Sequence, residues 1–178
     1  MKQLLIWALL VIGGLWTTGC SVDKDFSFTL EKEFSANNYQ NNTYSVSSTL
    51  DARQSSSDFD KYRSDLKSLD IESGSYTITS FQGPSTQMIQ SGTISVSDVN
   101  GGTRHIIATL SNVNLLSVAA KTQSLTLDEA GKQFFKDQLL SSASAVTLYL
   151  TATTNETPIT FTIKLSFKVK ASYSKELL

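Results

Sequence analysis

The sequence is poor in the residue types that build disulfides and metal sites. It has one cysteine, Cys20, and one histidine, His105. A single cysteine cannot form an intramolecular disulfide, and a single histidine excludes a zinc site built on several histidine ligands. The 15 basic and 16 acidic side chains give a formal net charge of −1, without the basic excess that nucleic-acid binding requires. Because no phosphate-binding loop, dinucleotide fingerprint or metal-ligand motif is present, we expect neither a cofactor nor a nucleic-acid partner.

The first 20 residues have the pattern of an export signal. Met1 and Lys2 precede an apolar run over residues 4–12, and the segment ends at Gly19 and Cys20. A short basic head, an apolar run of about a dozen residues and small residues at the exit predict a secretory signal peptide. The run is too short to span a bilayer core, which needs about 20 apolar residues.

The end of this segment resembles the signal of bacterial lipoproteins, which is cleaved in front of a lipid-modified cysteine. Gly19 and Cys20 match that signal, whereas Thr17 stands where it usually carries leucine. The resemblance implies that residues 1–19 are removed and that Cys20 carries multiple acyl chains, which hold a protein stably at a membrane. The alternative is an ordinary signal peptide that is cut elsewhere and leaves Cys20 as an unmodified thiol.

The residue after Cys20 bears on the location. Ser21 stands there rather than aspartate, and this resembles the outer-membrane sorting signal of enteric bacterial lipoproteins. We therefore expect an exported protein of the cell envelope, at the outer membrane, with the membrane as a partner through its N-terminal lipid. Residues 20–25 are mostly polar and predict a lipidated tether, followed by a single domain over residues 26–178.

The domain sequence is dominated by alternation of apolar and polar residues, the period of a half-buried strand. Seven such segments cover residues 26–31, 44–50, 69–81, 88–97, 103–112, 146–153 and 161–170. Gly74 lies where the alternation changes phase, which predicts a β-bulge, and Asn100-Gly101 predicts a hairpin turn. Short strands joined by turns predict a mainly β fold, an antiparallel sandwich that is Ig-like or a related Greek key, with a partly open barrel as the second choice.

Two short helices are expected between the strands. Ser57 with Asp60 three residues later predicts a capped helix start, and Thr126 with Glu129 forms a capping box for a helix that ends near Ser141. The apolar stripe of the second helix is expected to consist of Leu127, Ala130, Phe134, Phe135 and Leu139.

Two sets of residues are candidates for chemistry. His105 has a parity opposite to Ile106, Ala108 and Leu110, so we expect the imidazole to face solvent. The sequence has no Gly-x-Ser-x-Gly motif that would supply a serine nucleophile. Five carboxylates lie close together in the sequence, and we expect them on a solvated surface because basic residues alternate with them. They are Asp58, Asp60, Asp65, Asp70 and Glu72. We therefore assign no catalytic and no metal-binding residue.

Aromatic and basic residues are the remaining candidates for binding. Tyr39, Tyr44, Tyr62 and Phe81 lie near predicted loops or strand ends, and only Tyr39 is expected to be exposed. Lys164, Lys168 and Lys170 share the outer face of the last strand, where we expect them to protect a sheet edge.

The function expected from these observations is that of a non-enzymatic envelope lipoprotein. Its β-sandwich would act in binding a glycan, a peptide or a partner protein. A structural or assembly subunit of the envelope is the alternative, and a hydrolase is the third. The only site residue that the sequence assigns is Cys20, for lipidation.

Overall fold

The fold consists of strands that run along most of the chain and a few short helices between them. The computed structural model describes residues 21–38 and 40–176. The strands in these residues are β1 (Ser21–Asn38), β2 (Thr43–Asp51), β3 (Leu66–Phe81), β4 (Met88–Ser97), β5 (His105–Asn114), β6 (Thr122–Leu125), β7 (Ala145–Thr154) and β8 (Ile159–Glu176). The helices are α1 (Ala52–Ser55), α2 (Ser57–Tyr62), α3 (Leu115–Val118) and α4 (Glu129–Leu140), with a 3₁₀ turn over Arg63–Asp65.

The eight strands form two four-stranded antiparallel sheets. One sheet has the order β1-β8-β3-β6 and the other has the order β2-β7-β4-β5. Eight strands in two Greek keys with this order make a jelly roll. The predicted antiparallel sandwich is confirmed, in its related Greek-key form rather than its Ig-like form. The eighth strand, β6, is absent from the sequence prediction because its four residues are mostly polar.

Strand β8 supplies the centre of the core. Five apolar side chains alternate along it and are at most 1% exposed: Phe161, Ile163, Leu165, Phe167 and Val169. Their partners come from β1 on one side and β3 on the other, because β8 lies between these two strands. The uninterrupted alternation in the sequence therefore predicts the inward face of β8 correctly.

The outer face of β8 corrects the expectation that its lysines protect a sheet edge, because β8 is a central strand. Three carboxylates on the neighbouring strands pair with these lysines. The ion pairs are Lys164–Glu31 at 3.2 Å, Lys168–Glu72 at 2.9 Å and Lys170–Asp25 at 2.9 Å. Each ion pair is solvent-exposed and contributes about 0–1 kcal/mol to the free energy of unfolding. The three pairs therefore contribute more to the alignment of the strands than to stability.

The bulge expected near Gly74 is present in β3. The ladder with β8 runs from Ile71↔Val169 to Ser73↔Lys168, so Glu72 is the extra residue. The buried positions change parity there, from Ile71 before the bulge to Tyr76 after it. Gly74 follows the bulge directly, and a Cβ at Gly74 would lie 2.8 Å from Leu127 Cδ2. The bulge thus keeps both halves of β3 facing the core.

The start of β1 differs from the expected tether. Ser21 pairs with Glu176 and Asp25 pairs with Ser172, so residues 21–25 belong to the ladder with β8. The sequence misses this because residues 21–25 are mostly polar and their pairing depends on the last residues of the chain.

The helix starts are each shifted from the expected caps. Ser56, rather than Ser57, caps α2 by accepting a hydrogen bond from the Phe59 amide. Asp128, rather than Thr126, caps α4, while its expected end is confirmed by Ser141 as the C-cap. None of the helices in residues 21–38 and 40–176 is long and apolar enough to cross a membrane.

Tyr44 joins the two sheets at the end of the sandwich far from Ser21. Its ring packs edge-on against Phe161 at a centroid distance of 6.0 Å, and its hydroxyl donates to the Ser35 carbonyl at 2.9 Å. Burial raises the pKa of Tyr44 to about 12, so the phenol stays protonated and keeps this hydrogen bond across the neutral range.

Candidate functional site

An open groove of about 700 Å³ runs beside the edge strand β5. Residues 104–106, 108 and 109 line one side of it, and residues 126–128 line the other. The groove therefore lies between β5 and the segment that joins β6 to α4. We call it the β5 groove.

The first turn of α4, which follows the last lining residue Asp128, lies against the backbone of β5. The Asp128 amide donates to the Ile107 carbonyl at 2.7 Å. Asp128 also caps the helix, because its carboxylate accepts from the Gly131 amide at 2.9 Å. A Cβ at Gly131 would collide with the Ile106 carbonyl oxygen. Only glycine allows the helix to approach β5 this closely.

A bulge in β5 turns Ile106 outwards, which corrects its predicted inward orientation. The ladder with β4 passes from Ile94↔Ala108 to Ser95↔Ile106 and leaves Ile107 as the extra residue. Ile107 is fully buried, whereas Ile106 is 50% exposed. An apolar side chain thus stands in solvent at the wall of the β5 groove.

His105 is half-buried rather than free in solvent, because α4 lies across it. Its ring stacks on Phe134 with a centroid distance of 4.0 Å and an interplanar angle of 17°. The geometry is that of an aromatic packing contact.

Arg104 gives the β5 groove a fixed positive charge. Its guanidinium carbon lies 3.7 Å from the centroid of the Tyr149 ring, a cation–π distance. The Tyr149 hydroxyl is in turn 3.3 Å from the Ser97 hydroxyl, whose proton is donated to the Asp98 carbonyl at 2.7 Å. The groove therefore combines one held cation, one carboxylate at Asp128 and apolar surface from Ile106 and Leu127. Such a mixture suits a ligand with both polar and apolar groups.

The five clustered carboxylates do not converge on one another. Asp58, Asp60 and Asp65 are exposed, whereas the other two form ion pairs, Asp70 with Lys132 at 3.5 Å and Glu72 with Lys168 at 2.9 Å. Within the part of the chain that the structure describes, no three His, Cys, Asp or Glu residues lie close enough to hold a metal ion.

The aromatic candidates are separated from one another. Tyr44 is buried, Phe81 is half-buried against the core, and Tyr62 stacks on Tyr173 at 3.9 Å. Tyr39, like Cys20, lies outside the described residues. The described aromatics therefore form no common exposed platform.

Sequence reasoning missed the β5 groove, although two signals of it were present. A glycine inside an otherwise good helix, Gly131, indicates that another backbone approaches closely. Asp128 is a preferred N-cap residue, equal to or better than Thr126. Together they mark where the helix touches another element, but not that this element is β5.

Comparisons with known proteins give only distant similarities. No protein-family model matches the sequence, and no curated protein matches it. Three solved viral structures resemble the chain. A structure of desmodium yellow mottle tymovirus has 13% identity and a TM-score of 0.32, covering 100% of this chain and 93% of the other. A Nora virus structure has 14% identity and a TM-score of 0.35, with 100% and 68% coverage, and turnip yellow mosaic virus has 13% identity and 0.31, with 86% and 96% coverage. The assignment of the fold follows from the strand order of this chain.

Two substitutions of His105 test whether its ring stabilises the fold by packing against Phe134. We expect His105→Ala to lower the free energy of unfolding by about 0.5–1.5 kcal/mol, because the stack on Phe134 is lost. His105→Phe keeps a stacked ring and should stay close to the wild type in urea unfolding. Equal losses from both substitutions would show that the imidazole contributes something other than a ring.

Proposed function

We propose that the protein is a lipid-anchored protein of the bacterial cell envelope, at the outer membrane, and that its sandwich binds a partner in the β5 groove. The leader with Gly19 and Cys20 supports the anchor. The partner is a peptide, a glycan or a segment of an envelope protein. No cofactor takes part, and Cys20 is the lipidated residue.

The observation that carries the binding role is the construction of the β5 groove. Arg104 is held against Tyr149, Asp128 is fixed at the start of α4, and Ile106 stands 50% exposed between them. A strand bulge and a helical glycine are needed to produce this arrangement. Bulges next to a site commonly re-aim a side chain towards a ligand.

An assembly subunit of the envelope is the second candidate, and the length of β1 favours it. This strand lies at the edge of its sheet over all of Ser21–Asn38, and such an edge can pair with another chain. However, Lys24 and Lys32 occupy the parity of the core-facing residues Phe28 and Leu30. Charges at such positions protect an edge from pairing, so we place binding before assembly.

A hydrolase remains the third candidate. It would use His105 as its base, and the ring of His105 is engaged in the stack on Phe134. A nucleophile and a base need to lie within hydrogen-bond reach of each other. Binding therefore agrees better with the geometry of the β5 groove.

The proposed lipid anchor is tested by substitution of Cys20, the only cysteine in the sequence. Radiolabelled palmitate should enter the wild-type protein, and Cys20→Ser should lose both the label and retention in the membrane fraction, because Cys20 is the only cysteine. Cys20→Ala serves as the second unmodifiable variant. Label that persists in either variant would refute the assignment.

Binding in the β5 groove is tested with two similarly exposed aliphatic residues of equal size, one in the groove and one outside it. Ile106 is 50% exposed in the groove and Leu116 is 53% exposed in α3. Ile106→Ser and Arg104→Ala should each weaken capture of partners from envelope extract, or signal on a glycan array, by about tenfold or more, the effect of losing roughly 1.4 kcal/mol. Leu116→Ser should bind like the wild type. Binding that is lost with Leu116→Ser and kept with Ile106→Ser would contradict this site.

A further inference from the structure

The end of the sandwich nearest Cys20 is a two-stranded ribbon. The pairs Ser21↔Glu176, Val22↔Lys175 and Asp23↔Ser174 extend β1 and β8 beyond the other strands. The pairing of β3 with β8 begins only at Leu66↔Tyr173. We call residues 21–23 and 174–176 the anchor ribbon. Ser21 is the first residue that the structure describes, and Cys20 precedes it directly in the sequence.

Side chains next to the anchor ribbon brace it against the body of the sandwich. The Asp23 carboxylate accepts from the Ser174 hydroxyl at 3.0 Å and pairs with Lys67 at 3.0 Å. One step further along, Tyr173 stacks on Tyr62 of α2 at 3.9 Å and meets Phe26 edge-on at 6.0 Å. These contacts tie both strands of the ribbon to α2 and to the start of β3. The ribbon therefore continues the sheet rather than acting as a hinge.

We infer that the anchor ribbon seats on the phospholipid surface and holds the sandwich upright on the membrane, without a tether. This inference rests on the proposed lipidation of Cys20. Acyl chains on that residue lie in the bilayer, and the next residue already belongs to a paired strand. The first pairs of the ladder must then lie in the headgroup layer.

The residues of the anchor ribbon suit contact with uncharged and with anionic headgroups alike. Val22 is apolar and 41% exposed, and Asp23 and Lys175 are exposed charges of opposite sign. A surface of mixed charge gains little from anionic lipids, because attraction and repulsion largely cancel. The acyl chains, rather than charge, therefore hold the ribbon on the bilayer.

The upright orientation sets the height of the β5 groove. Leu125, at the end of β6, pairs with Gly74, which pairs with Phe167 of β8. Nine residues separate Phe167 from the end of β8 at Glu176, which is roughly 30 Å at about 3.3 Å per residue. Because β6 runs in the same direction as β8, residues 126–128 follow Leu125 towards the anchor ribbon. The groove thus lies at the membrane-facing end of the sandwich, at most about this distance above the headgroups. Its partner is a chain or a polymer that projects from the membrane or passes over it.

Energy transfer from the protein to the bilayer tests this orientation. Lipidated protein in phosphatidylcholine vesicles would carry a donor dye on a single introduced cysteine, with an acceptor on a trace headgroup-labelled lipid. Lys175→Cys marks the anchor ribbon, Thr126→Cys marks the β5 groove, and Asn41→Cys marks the far end of the sandwich; all three positions are exposed. We expect the transfer efficiency to fall in that order, and adding phosphatidylglycerol should leave the order unchanged.

An insertion supplies the matched control. Eight Gly and Ser residues between Cys20 and Ser21 form a flexible linker and should let the domain tumble. The differences between the three efficiencies should then become smaller, while palmitate incorporation and the melting temperature stay as in the wild type. Equal efficiencies without the insertion, or differences that the insertion leaves unchanged, would overturn the inference.

The experiment distinguishes an error in the proposed lipidation of Cys20 from an error in the proposed upright orientation. Mass spectrometry of the same samples reports whether Cys20 carries lipid. Absence of lipid would refute the proposed function and this inference with it. Lipid on Cys20 together with equal transfer from the three positions would refute the orientation alone.

Discussion

The pairing of β8 with two neighbours at once is the constraint on which the structure depends. Its inward side chains fill the centre of the core, and its outward lysines align carboxylates of β1 and β3. The 18 residues of β1 follow β8 to the end of the ladder, so the N-terminal strand is fixed along its whole length. The second sheet packs over this frame through residues such as Tyr44, whose ring meets Phe161. The jelly-roll order is the topology that results.

The sequence predicts the parts of this fold that local alternation encodes. The inward face of β8 and the bulge before Gly74 both follow from which residues are apolar. It does not predict features that depend on a partner elsewhere in the chain. Residues 21–25 look like a tether until the end of β8 pairs with them, and β6 is too short and too polar to stand out. The lysines of β8 look like edge protection because strand order cannot be read from one strand.

The sequence contains signals for single residues of the β5 groove but does not predict the groove itself. Ile106 has the parity of a core residue, and the bulge at Ile107 reverses its orientation without any change in the local pattern. His105 was expected in solvent because nothing in its neighbourhood shows that Phe134, almost 30 positions later, stacks on it. Both errors have one physical cause, the bulge at Ile107, which reverses the parity of both residues. The residues hardest to predict are therefore those of the candidate site.

The pairing of residues 21–25 with the end of β8 is the feature on which the orientation depends, and hydrogen exchange tests it most directly. Mature lipidated protein in detergent would be exchanged into D₂O, and peptides covering residues 22–25 would be compared with those covering residues 34–37, which lie deep in the same strand. In an edge strand, about every second amide is bonded to the neighbouring strand and exchanges slowly. If residues 22–25 are paired as the structure shows, both sets of peptides should be similarly protected. Exchange of residues 22–25 at the rate of an unfolded chain, with residues 34–37 protected, would contradict it and would restore a flexible tether between the lipid and the sandwich.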